Sequence, residues 1–378
     1  MNRTRVVVCG TTFGRVYVAG VRRLPEHYEL VGILSRGSEQ SRAFASRQRL
    51  PLFTTIEELP EFDMACVVVR SGIVGGKGSQ LARRFLADGR HVVLEHPIHR
   101  DDAVECYREA ARSGGAFFIN PFYRHSPTIA SYLEMARVLR EDHGILGVEA
   151  ECSIHFLFSM IDLVGRITGG FTPWEIQAQG TVAGVLTQLG GSFRGVPVSL
   201  RVVNRMNPLN PDDFAHVGHR ITVFTVTGNL VLTETDGQII WHPNVTTPRT
   251  TEGLLEIEAD EALSTVRLHE SLAVETEVTR RCQFERIWPS AVAGFLDALR
   301  QETGSPAARA REAEYMLTLC AVWAHAGQLM GPAEPLGAET PPRFLSLAHL
   351  TERMPDGAPM ADMKRNRIFR GFPVLFRI

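Results

Sequence analysis

Short apolar runs alternate with helical stretches through the first part of this chain, and that alternation restricts the fold more than any other feature. Arg5 to Cys9 carries three consecutive valines, a continuous apolar run as a strand buried on both faces requires. A helix is predicted from Arg15 and ends before Pro25. Tyr28 to Leu34 reads as a second strand, Met64 to Val69 as a third, Gly78 to Ala87 as a helix and His91 to Leu94 as a strand. Asp101 is expected to cap a helix running through Arg112, and Ala116 to Ile119 is the next strand. Strands separated by helices imply a doubly wound parallel sheet, a Rossmann-type α/β domain.

Such sheets bind ligands at the carboxyl ends of their strands. After the first strand comes Gly10-Thr11-Thr12-Phe13-Gly14, with Thr12 where a dinucleotide fingerprint would place its middle glycine. The turn opens the first helix, whose free amides suit a pyrophosphate. The second strand ends in Ser35, Arg36 and Ser38, with Arg42 one turn into the next helix. The acid that would bind a ribose 2′-hydroxyl is missing. Hydroxyls and guanidinium groups suit a 2′-phosphate, so NADPH is the expected cofactor, with a solvated loop as the plainer alternative.

The strand Val92-Val93-Leu94 delivers Glu95-His96-Pro97 at its carboxyl end. Proline fixes φ and removes a backbone donor, so the histidine sits on a rigid turn. One strand later, Asn120 to His125 places Tyr123 at the same edge. His99 and His125 read as capping or surface residues. His216 and His219 are three apart and lack a third ligand at sensible spacing, so no metal is expected.

The chain has 378 residues, enough for two domains. From Leu146 the period shifts towards two. Strands are expected at Val148–Ile154, Trp174–Gln179, Gly191–Phe193, Val198–Val203, Ile221–Thr227 and Leu230–Glu234, with a hairpin at Gly228-Asn229. Helices are expected from Pro127, at Ser290–Arg300 and at Pro306–Leu329. The second domain is therefore α+β with a largely antiparallel sheet. The predicted division is 1–125, 126–331 and a proline-punctuated arm, 332–378. A formal charge of −2 leaves no basic footprint for nucleic acid. No apolar run is long enough to span a bilayer and no signal segment is read, and the six cysteines form no C-x-x-C pair. A cytoplasmic location is expected.

The layout resembles the Gfo/Idh/MocA oxidoreductases, whose hallmark at Glu95-His96-Pro97 is Glu-Lys-Pro; here histidine replaces the lysine. Gly10 to Tyr17, Val68 to Ser71, Gly75 to Arg83, Glu95 to His99 and Asn120 to His125 together are similar to one branch, the thiazolinyl imine reductases of siderophore assembly lines such as those for pyochelin and yersiniabactin. The likeness is close to about residue 130 and looser beyond, at Ser153, Asp162-Leu163 and His219-Arg220.

The resemblance implies NADPH-dependent reduction of a thiazoline C=N bond to a thiazolidine. The substrate it implies is a thioester on the phosphopantetheine arm of a carrier protein of nonribosomal peptide synthesis. It implies His96 and Tyr123 as proton donors and a homodimer joined through the second-domain sheets, whose strands carry apolar residues at alternate positions. The expected cofactor-binding residues are Gly10, Thr11, Thr12, Phe13, Gly14, Ser35, Arg36, Ser38, Arg42, Arg70, Ser71, Glu95 and His96. Imine reduction needs hydride at carbon and a proton at nitrogen, and histidine titrates nearer neutrality than lysine. A sugar or cyclitol dehydrogenase and a non-catalytic NADP-binding regulator are the alternatives.

Overall fold

Valines of the first strand are buried on both faces because helices cover both sides of the sheet they join. The computed structural model describes residues 3–69, 76–182, 184–207, 215–256, 265–276, 278–302, 305–336 and 345–352. Its first sheet contains β1 (Thr4–Cys9), β2 (Tyr28–Leu34), β3 (Leu52–Phe53), β4 (Met64–Val67), β5 (His91–Glu95) and β6 (Phe117–Asn120). All pairs are parallel, in the order β3-β2-β1-β4-β5-β6. Helices α1 (Gly14–Val21), α2 (Glu39–Gln48), α3 (Lys77–Ala87) and α4 (Arg100–Ser113) connect them. This is the expected doubly wound sheet. The cap of α4 differs from expectation: His99 holds the N-cap and accepts from the Asp101 amide at 3.4 Å, leaving Asp101 in the first turn.

After α5 (Pro127–Asp142), the chain builds a second sheet from β7 (Gly147–Ser153), β8 (Trp174–Val182), β9 (Leu186–Phe193) and β10 (Val196–Val203). A two-residue β11 (Arg205–Met206) follows, then β12 (Arg220–Phe224), β13 (Gly228–Leu232), β14 (Ile239–Pro243) and β15 (Glu270–Leu272). The order is β15-β14-β13-β12-β7-β10-β9-β8. Every pair is antiparallel except β7 with β10, so the sheet is mixed. A parallel pair needs a crossover, and the stretch between β7 and β8 contains a helix that the strand pattern did not suggest: α6 (Leu157–Thr168). It is buried on nearly all sides, its polar Ser159 and Asp162 included.

Helices α7 (Trp288–Glu302) and α8 (Pro306–Met330) complete the unit, and β16 (Glu334–Pro335) pairs with β11. Val198, Leu200 and Val202 share one core with α6 and α8. The other face of that sheet carries ion pairs, Arg201 with Glu149 at 2.8 Å and Arg220 with Glu151 at 2.9 Å. Residues 1–335 form one compact unit and 336–378 a second, whose described part includes α9 (Leu347–Glu352). Most of the predicted arm thus lies outside the described residues. Among those described, no helix is long and apolar enough to cross a membrane, and no cluster of three or more His, Cys, Asp or Glu could hold a metal.

Candidate active site

Gly10 ends β1 with φ +105°, and a Cβ there would lie 2.6 Å from the Val68 carbonyl oxygen. Only glycine fits this approach. The chain then turns through Thr11, Thr12 and Phe13 into α1. The Thr11 hydroxyl lies 2.6 Å from that of Ser41, which lies 2.9 Å from the Ser38 hydroxyl. Ser38 is the N-cap of α2 and accepts from the Ser41 amide at 3.2 Å. Ser35 accepts from the Gly37 amide at 3.3 Å, and Arg42 donates to the Gly37 carbonyl at 3.0 Å. Arg36 and Arg42 are exposed. The glycine cradle beside the α1 amides suits a pyrophosphate, and the hydroxyls, α2 amides and guanidinium groups suit phosphate esters, so these residues fit a dinucleotide. Ser41 was not anticipated; only the α2 register shows that it faces Thr11. Arg70 and Ser71 lie outside the described residues.

At the end of β5, His96 Nδ1 lies 3.0 Å from the Asn120 carbonyl oxygen and 3.2 Å from Glu95 Oε1. A carbonyl and a carboxylate only accept, so Nδ1 carries a proton and Nε2 is the nitrogen left for chemistry. The other Glu95 oxygen accepts from the Tyr17 hydroxyl. Asn120 Nδ2 donates to that same hydroxyl at 2.7 Å, and Asn120 Oδ1 accepts from the Phe122 amide at 2.8 Å. Burial, then the Glu95 charge, push the Tyr17 pKa well above the usual phenol value, so it remains a donor. Side chains from α1, β5 and β6 thus hold one imidazole. Its ring stacks on Phe158 of α6, with centres 5.3 Å apart and planes 17° apart.

Tyr123 follows an unusual turn. Phe122 has φ 64° and ψ −70°, and the Tyr123 amide donates to the Pro121 carbonyl at 2.8 Å. This is a γ-turn of the positive-φ kind, rare for an L-residue. Phe122 is held in it by the Asn120 side chain and by the rings of Phe13 at 5.2 Å and Trp288 at 6.2 Å. The turn sets the Tyr123 ring 6.4 Å from His96 and 4.7 Å from His219.

His219, buried on β12's approach, is no metal ligand. Its Nε2 lies 2.7 Å from the Ser159 hydroxyl and its Nδ1 3.1 Å from the Thr235 hydroxyl, so both ring nitrogens are already hydrogen-bonded within the chain. Burial, helped by His96, pushes its pKa down to about 3, so the ring is neutral. His216 is exposed.

Arg124 ties the turn to the second half, bonding Glu312 at 2.8 Å and Asp162 at 3.4 Å. Arg166 bonds the same Glu312 at 2.7 Å and lies over the Tyr315 ring. Burial works against the Glu312 charge, but the two arginines win and hold its carboxyl at about 2. His125 accepts from Arg124 at 3.0 Å and is structural, as expected; burial and Arg124 push its pKa well down. Phe158, Ser159 and the supporting role of Tyr17 were not legible in the sequence. Each acts through a partner distant along the chain.

A glycine cradle and a strand-end histidine–tyrosine pair on one sheet edge fit a dehydrogenase or reductase. Residues 4–120 match the family model of the Gfo/Idh/MocA oxidoreductases, described as an oxidoreductase family with an NAD-binding Rossmann fold. That match supports an NAD(P)-binding oxidoreductase of this family. Residues 146–242 match the model of the thiazolinyl imine reductase Irp3-like C-terminal domain, which supports an Irp3-like second half. No curated protein matches the sequence.

Solved structures share the fold at low identity. UDP-N-acetylglucosamine 3-dehydrogenase GnnA from Acidithiobacillus ferrooxidans has a TM-score of 0.59 at 16% identity, over 86% of this chain and 96% of that one. An NAD-binding oxidoreductase from Klebsiella pneumoniae has a TM-score of 0.62 at 12% identity, over 87% and 97%. A levoglucosan dehydrogenase solved with NADH and levoglucosan has 0.59 at 12%, over 86% and 98%.

Proposed function

We propose that the protein reduces the C=N bond of a thiazoline to a thiazolidine with NADPH, the substrate being a thioester on a carrier-protein phosphopantetheine arm in siderophore assembly. The observation that carries this reading is the state of His96. With Nδ1 bonded to Asn120 and Glu95, the nitrogen free to exchange a proton with substrate is Nε2. The Glu95 carboxylate supplies the counter-charge to an imidazolium, which returns to the neutral Nδ1–H form when the proton leaves. NADPH, when bound, supplies the hydride. Tyr123 is the second donor at the same edge, and the stacked Phe158 fixes the plane in which His96 presents Nε2. The Irp3-like second half supports the substrate class.

Mass spectrometry of a thiazoline-loaded carrier protein incubated with the enzyme and NADPH tests the proposal. A gain of two hydrogens is expected. Turnover of free polyols instead would establish a sugar or cyclitol dehydrogenase, and no NADPH oxidation with any imine would leave a nucleotide-binding regulator. The functional form is proposed to be a cytoplasmic homodimer paired through the ion-paired sheet face, and a monomer by light scattering at micromolar concentration contradicts the dimer.

A further inference from the structure

A cavity of about 240 Å³ lies along the outer edge of β6, away from the proposed chemistry. Its walls are Tyr107 and Ala110 of α4, Phe295, Ala298 and Leu299 of α7, and Met316 of α8, with Arg124 and Glu312 also lining it. The strand itself forms the remaining wall. Val92 donates to the Ala116 carbonyl and His96 to the Asn120 carbonyl, so every second residue of this strand faces β5. In a parallel pair, a residue's N–H and C=O point the same way. Phe117 and Ile119 therefore turn both groups outward, towards the cavity.

Those groups have no hydrogen-bond partner among the described residues. Phe117 is 4% exposed and Ile119 2%, so this is not a solvated edge. Buried main-chain donors and acceptors are almost always paired, by protein, ordered water or ligand. Four lie in a row here, beside a space that holds more than one water molecule. We infer that this cavity is a second binding site, for a neutral, linear, mostly apolar molecule carrying secondary amides that pair with the β6 edge as an added strand would.

The neutrality follows from the polar lining. Arg124 and Glu312 already neutralise each other, His125 is uncharged beside them, and Arg309, which also lines the cavity, is itself already partnered. The amides follow from the alternation of donor and acceptor along an edge strand, and the apolar character from the aromatic and aliphatic walls. The cavity is too small for a folded partner. Two sources share this chemistry: a pantetheine-type arm and a short apolar peptide. The inference is independent of the imine chemistry, because none of its residues is assigned a part in the reaction.

Titration calorimetry with pantetheine and, separately, with an N-acetylated leucine–alanine amide tests it on the full chain. Saturable binding of either probe is expected, and the probe that binds names the source. Amide hydrogen exchange at Phe117 and Ile119 should slow at least tenfold in its presence. Ala298→Leu, which fills the cavity from α7, should weaken binding at least tenfold while the melting curve stays cooperative. Should that variant not fold, the exchange data on the unaltered chain decide. Failure of both probes to bind, with exchange unchanged, means that only water pairs the edge and overturns the inference. Binding that survives in a folded Ala298→Leu variant also overturns it.

Discussion

The ring of His219 lies 4.7 Å, centre to centre, from the ring of Tyr123, and it is fully buried with both nitrogens hydrogen-bonded. The phenol proposed as a proton donor thus rests on a neutral imidazole that cannot readily take up charge. An ordinary histidine titrates at 6.5, and this one is held down to about 3. Below 6.5 the unfolded chain binds a proton that the folded chain refuses. The stability from burying His219 neutral is therefore complete above pH 6.5 and is lost as pH falls towards 3. His219→Gln cannot titrate, so urea melts should show a shallower loss of stability between pH 6.5 and 4. An acid limb identical to the parent's would refute this.

His96→Ala and Tyr123→Phe should each lower kcat by about 10²–10⁴-fold, the usual span for a positioned general acid, with NADPH affinity nearly unchanged. Neither loss should abolish turnover, because the other donor or water remains. If His96→Ala instead weakens NADPH binding and leaves kcat intact, the histidine holds the cofactor and does not move the proton.

If Ser35, Arg36, Ser38 and Arg42 hold the 2′-phosphate as proposed, NADPH should bind at least about tenfold more tightly than NADH, given about 1.5–3 kcal/mol for a hydrogen bond to a charged group. Removing Arg36 and Arg42 together should bring the two affinities close. Fluorescence titration measures this, and equal affinities in the parent exclude the preference.

Gly10→Ala combines a disfavoured φ of +105° with a Cβ placed 2.6 Å from the Val68 carbonyl. Backbone strain of this kind costs about 1–3 kcal/mol. The variant should melt earlier and lose dinucleotide affinity. A calorimetric melt matching the parent's would show that the β1–β4 approach can relax.

Glu312→Gln removes the nearer of the two carboxylates, Glu312 and Asp162, that Arg124 and Arg166 share in a largely buried setting. Breaking a buried pair this way costs about 3–5 kcal/mol. Denaturant titration should show that loss. Turnover of the variant below its melting point should fall as well, because Arg124 adjoins Tyr123.

The parallel sheet was legible because strands buried on both faces leave continuous apolar runs, as at Arg5 to Cys9 and Val92 to Leu94. The strand-end pair was legible because Pro97 and Pro121 punctuate those runs. The helix α6 was not, since Leu157 to Val164 is a short run, apolar but for Ser159 and Asp162, whose length alone does not separate a buried helix from a strand. The γ-turn at Phe122 was hidden for another reason. Nothing in phenylalanine announces positive φ; packing from Phe13 and Trp288 imposes it. The support for His96 reaches from Tyr17 to Asn120 across α1, β5 and β6, and no sequence spacing reports such a bond. The second sheet's one parallel pair followed from α6 and was missed with it.

Phe158 on α6 and His219 beside β12 reach across to a histidine and a tyrosine that belong to the first sheet. The proposed reactive centre is therefore a joint product of two stretches of chain that could diverge separately. Substitutions in the second stretch can alter the surface on which an acid is presented without disturbing nucleotide capture. A lineage that keeps β1 to β6 and varies the region from Leu157 to Thr235 can explore new substrates while its means of holding a coenzyme stays the same.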